Sequence, residues 1–165
     1  MQEKLRRTVS TVTTGITKGT TSTYTTTATS RGSINGKLCT GLTAQTNTAT
    51  PTTDATTGAA FVAQTDNTVA VYVFGITAAG AIAVSQGPVT ATEVGVTTTA
   101  GALINRPQFP SLPADFCPIG YLMVRTAPSA SDFTFGTSAW DATGVTSSAV
   151  VEVDGSLPSR PQALP

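Results

Sequence analysis

Apolar residues along this chain fall in short runs of strand length, separated by turn residues at intervals of roughly ten positions, with no sustained helical period. The strongest run is FVAQTDNTVAVYVFGITAAGAIAVSQGPV at 61–89. It predicts three consecutive antiparallel strands near 59–65, 68–77 and 80–86, with turns at Asp66-Asn67 and Ala79-Gly80. Val69, Val71 and Val73 alternate with Ala70, Tyr72 and Phe74, so both faces of the middle strand are apolar and it belongs in the centre of a sheet. A further strand is expected in VTATEVGV after Pro88. YLMVRTA at 121–127 and DFTFG at 132–136 predict a strand pair joined at Pro128-Ser129-Ala130, and SAVVEVDG at 148–155 predicts the last strand. Between them INRPQFPSLPADFCPIG, with Pro107, Pro110, Pro113 and Pro118, reads as a rigid extended crossover, unfit for a central strand or a helix interior.

The first part of the chain has a different texture. TVSTVTTGITKGTTSTYTTTATS at 8–30 is β-branched throughout but short of large side chains, which predicts extended backbone with little hydrophobic reward of its own. Asn35-Gly36 is the better of two hairpin signals in the segment that follows, the other being Gly32. The domain reading is therefore a Thr-rich extended arm with a possible hairpin over 1–58, and an all-β body over 59–165. The body is expected to be a β-sandwich or jelly roll of six to eight antiparallel strands.

Composition sharpens this division. Of the 34 Thr, 21 lie in residues 1–58. Charged residues are 11% of the chain, against the ~25% usual for soluble domains. The neutral total hides an asymmetry: residues 1–58 carry six basic and two acidic side chains, the rest three basic and seven acidic. Such a chain is expected to have a thin core and to gain stability from association, its basic front attracted to an acidic neighbouring surface.

Several chemistries find no support. There is no His, which removes the usual general base and the commonest metal ligand. Cys39 and Cys117 form no zinc spacing; two partly buried free thiols are expected over a disulfide, since MQEKLRRTVS has no apolar signal segment. No apolar run reaches the ~20 residues of a membrane helix, so no membrane partner is expected. No glycine-rich phosphate loop or GxSxG elbow occurs. A glycosidase pair drawn from Asp115, Asp132, Asp141, Glu152 and Asp154 is possible in principle, but these residues sit among turn formers, where Asp accepts backbone hydrogen bonds. A calcium site from Asp66, Asn67 or Asp154 lacks the ligand spacing. Tyr121, Phe133, Phe135 and Trp140 are expected in the core, with a carbohydrate platform as the other use for such residues. The expectation is a non-enzymatic protein with no cofactor, no metal and no nucleic acid partner.

PADFCPIGYLMVRT at 113–126 and FTFGTSAWDATGV at 133–145, with looser likeness in GAAFVAQ and VAVYVFGITAAGAIAV, resemble the small capsid decoration or cement proteins of tailed bacteriophages. That resemblance implies a virion structural protein on the outer surface of the capsid, made in the host cytoplasm. It would bind the major capsid protein and copies of itself, as a trimer by preference or as a dimer. The expected contacts are Lys4, Arg6, Arg7, Lys18 and Arg31 for electrostatic docking, with Val9, Val12, Ile16 and Tyr24 as apolar anchors. The other reading is a tail-fibre or adsorption module that binds host surface glycan through loops near Trp140.

Overall fold

The computed structural model describes residues 8–10, 14–130, 132–153, 156–158 and 161. Among them the secondary structure is all β. The strands are β1 (Val9–Ser10), β2 (Ile16–Lys18), β3 (Thr23–Thr26), β4 (Gly32–Ile34), β5 (Lys37–Leu38), β6 (Gln45–Ala49), β7 (Thr68–Ile76), β8 (Ile82–Gln86), β9 (Thr90–Ala91), β10 (Cys117–Thr126), β11 (Val145–Ser147) and β12 (Val151–Glu152).

The principal sheet is antiparallel and is built on the two longest strands, β7 and β10, paired from Cys117↔Ile76 to Arg125↔Val69. Each strand has only two edges. β11 and β12 therefore share the outer edge of β10, while β8 and β9 share the outer edge of β7. Two small sheets, β2-β3-β6 and β1-β4-β5, accompany it.

β7 shows why this sheet is central. Eight of its nine residues are buried, and its two apolar faces serve two cores. Ala70, Tyr72, Phe74 and Ile76 join Val84, Ile119, Leu122, Phe133, Phe135 and Trp140 on one side. Val69, Val71 and Val73 meet Phe116, Tyr121, Met123 and Val153 on the other. The second core is roofed by Leu103 and, through Phe109 and Leu112, by the Pro-rich crossover. Each fully buried Val, Ile or Phe contributes about 1.5–3 kcal/mol from removal of apolar surface from water.

The first core is completed by the N-terminal third. Ile16, Tyr24, Ile34 and Leu42 belong to the same buried cluster, and the Tyr24 ring lies 6.4 Å from Phe74. Glu152 accepts the Ile16 N–H at 2.9 Å, and the Trp140 indole N–H donates to the Thr23 carbonyl at 3.2 Å. Residues 14–50 thus form a layer over the principal sheet instead of reaching away from it. Sparse composition concealed this, because four large side chains spaced along a Thr-rich segment are enough to fix it when each meets an aromatic or aliphatic partner.

Several expected elements are present. Asn35 and Gly36 adopt φ of 52° and 78°, the two positive angles that a tight hairpin turn requires, between β4 and β5. The β7–β8 hairpin closes through Thr77 and Ala81 with Gly80 at φ 80°. Other segments differ. Residues 59–65 form no strand: Gln86 brackets Val62 with its side-chain amide, accepting the N–H and donating to the C=O at 2.8 Å each, and the Thr53–Ala60 and Gln64–Phe133 bridges on either side stay isolated. A side chain that satisfies one peptide does not propagate a ladder. DFTFG likewise turns instead of pairing with β10, since Phe133 and Phe135 both point into the core and Gly136 has φ 83°. The last strand is reduced to β12, with β11 filling the edge ahead of it. β10 begins at Cys117, inside the crossover, and takes in Pro118. The register shift between Pro118 and Gly120 accommodates a residue without an N–H in a central strand.

Candidate interaction surface

The residues expected to make contacts are scattered by the fold. Lys4, Arg6, Arg7 and Val12 lie outside the described residues. Val9 pairs through its backbone with Ser33. Ile16 and Tyr24 are 2% and 1% exposed in the core, so in this conformation they have no surface to offer another chain. Burial also pushes the Tyr24 hydroxyl above its ordinary pKa. Lys18 stands opposite Tyr24 in the β2–β3 pair, and its ammonium donates to the hydroxyl and carbonyl of Ser147. Desolvation lowers its pKa, opposed by the charge of Asp141. Arg31 is exposed at the start of the β4–β5 hairpin.

Three carboxylates, Asp54, Asp115 and Glu152, accept hydrogen bonds within the fold. Asp115 accepts the Ala78 N–H at 2.9 Å. Glu152 accepts from Ile16 and from the Thr14 hydroxyl. Asp54, in a groove of about 610 Å³ beside Gln86 and Phe109, takes bonds from the Thr56 and Gln86 backbones and the Thr57 hydroxyl. Asp66, Asp132 and Asp141 are exposed, and Asp154 lies outside the described residues. No group of three or more His, Cys, Asp or Glu able to hold a metal ion occurs among the described residues. Trp140 lines a cleft of about 430 Å³ with Lys18, Asn47 and Asp141, yet is 4% exposed and packs on Phe133 and Phe135. It presents little face for a sugar to stack on.

The surface feature that stands out was read from sequence as an ordinary strand. After β9 the chain leaves the sheet as a finger, closed by the Thr92–Leu103 and Val96–Thr99 bridges. Val94 and Val96 on it are 81% and 76% exposed, and Ile104 just beyond its base is 57% exposed. The finger is held from several sides. Gly95 N–H donates to the Asn67 side chain at 2.9 Å, Ser129 N–H to the Thr97 carbonyl at 3.0 Å, and Arg125 to the Gly101 carbonyl at 3.3 Å. Its two sides approach so closely that a side chain on Gly101 would overlap the Glu93 carbonyl. The E-V-G-V alternation was the available signal. It marks one apolar face correctly but does not say whether that face meets the core or water.

Comparison with protein-family models, with curated proteins and with solved structures gave no match.

Proposed function

We propose that this protein is a virion structural protein that decorates and cements a bacteriophage capsid, binding the major capsid protein and copies of itself on the outer surface of the shell. The observation that carries this reading is the finger at 92–104: aliphatic side chains are held in water by a loop tied to the body at Asn67, Arg125 and Ser129. Exposed apolar groups on a pre-ordered element favour docking, because ordering the loop has already been accomplished before a partner arrives. The described carboxylates that accept backbone bonds, and the buried aromatics, serve the fold; this supports a protein that works by contact. The partner class comes from the resemblance of residues 113–126 and 133–145 to decoration proteins. Many weak seats on a symmetrical shell add up through avidity, so no single contact must be strong.

Imaging of assembled particles carrying an epitope-tagged version of this chain tests the reading. Tag density at regular positions over the shell faces is expected. Density confined to the tail, or free chain that never joins the particle, would count against it and in favour of the adsorption-module reading.

A further inference from the structure

Cys39 and Cys117 are both free thiols, 78 positions apart in sequence, yet both pack into the first core cluster. Cys39 follows β5, and its N–H donates to the Gly32 carbonyl at 2.9 Å. It stands across from a residue with no side chain, and alternation turns its thiol to the opposite face from the exposed Leu38. On that inner side it packs against the core cluster that contains Cys117. Cys117 is the first residue of β10 and fully buried. One residue pins both flanks: the Ala78 carbonyl accepts the Thr40 N–H at 3.0 Å, and the Ala78 N–H donates to Asp115 at 2.9 Å. Backbone groups of adjacent residues lie beside the two thiols, Ile34 at Cys39 and Ser33 at Cys117, and ionisation of Cys39 would hold the Cys117 proton more tightly.

We propose that Cys39 and Cys117 are a redox staple, open as two thiols in a reducing compartment and closed as a disulfide in an oxidising one, that locks the β4–β5 hairpin onto the principal sheet. A small dialkyl disulfide such as oxidised glutathione is the oxidant. Cys39, the partly exposed member, attacks one sulfur of the oxidant as thiolate and expels the first small thiolate. The Cys117 thiolate then attacks Cys39 Sγ and expels the second. The two protein thiols lose two electrons and two protons, and the oxidant leaves as two thiols. Burial raises the pKa of both cysteines, Cys117 to about 11, so closure is slow at neutral pH and speeds up in alkali.

The test is intact-mass measurement and alkylation counting on the full chain after incubation with oxidised glutathione at about pH 9. Closure predicts a monomer about 2 Da lighter with no alkylatable thiol, restored by reductant. The closed form should melt roughly 10 °C higher, since the link closes a long loop of the unfolded chain. Cys117→Ser should stop at a glutathione adduct on Cys39, which shows the order of attack without requiring the wild-type product to be stable. A wild-type chain that keeps both thiols, stops at that adduct, or links only to other copies would overturn the proposal.

Discussion

The layer at 14–50 and the finger at 92–104 are both rich in Thr, yet one lies against the principal sheet and the other carries exposed aliphatic side chains. The difference lies in what each apolar side chain faces. Ile16, Tyr24, Ile34 and Leu42 sit in strands or bridges that direct them onto Phe74, Ile119 and their neighbours. Val94 and Val96 sit on a hairpin tied to the body by hydrogen bonds at Asn67, Arg125 and Ser129 and by Leu103 at its base, and their own side chains are largely exposed. The sequence pattern assigns the first region to contact with partners and reads the second as an ordinary strand. The fold buries the apolar side chains of the first and leaves Val94 and Val96 of the second in water.

This contrast can be broken at its strongest point by removing Tyr24. Tyr24→Ala deletes a fully buried ring packed on Phe74 and should lower the free energy of unfolding by about 3–5 kcal/mol. A free arm residue would change it by about 0.5 kcal/mol or less. Denaturant titration of the full chain distinguishes the two. Glu152→Ala should follow at about 1–3 kcal/mol, because it leaves the Ile16 N–H and Thr14 hydroxyl without their acceptor. Hydrogen exchange should then show the Ile16 amide losing protection ahead of those in β7.

Raising pH sharpens the same boundary. Cys117 is held as a thiol by burial, its pKa pushed up to about 11 from an ordinary value of 9, so the folded state keeps a proton that the unfolded state releases. This stabilisation is whole below about pH 9 and is lost as pH rises towards 11. Melting temperature should fall across that interval, and less steeply in Cys117→Ser under reducing conditions. A flat profile would mean that Cys117 is accessible to water.

The finger should respond more gently. Asn67→Gly keeps the positive φ of 54° but removes the acceptor for Gly95, and should cost about 1 kcal/mol or less in global stability. Exchange at Gly95 should nonetheless quicken at least tenfold. If it does not, the finger is held by something other than Asn67.

These contrasts follow what was legible in the sequence. β7 could be read directly because both faces of TVAVYVFG are apolar, and the β4–β5 turn because Asn-Gly tolerates the two positive φ values. β8 followed from the same alternation. The irregular segments at 61–65 and 133–136 were hidden because backbone groups in them are satisfied by the Gln86 amide and by a single bridge, partners distant in sequence. Pro118 misled for a physical reason: a proline is excluded from a regular central strand but fits where the register shifts. The docking surface was the least legible part. Exposure of Val94 and Val96 depends on the Asn67, Arg125 and Ser129 tethers, which join segments far apart in the chain.

The most direct measurement is cosedimentation of the chain with empty capsid shells, comparing wild type with Val94→Asp/Val96→Asp. The double variant alters two side chains that touch solvent, so it should melt as the wild type does while its affinity for shells falls about tenfold or more. Equal binding by a variant of unchanged stability would contradict the finger as the seat of contact.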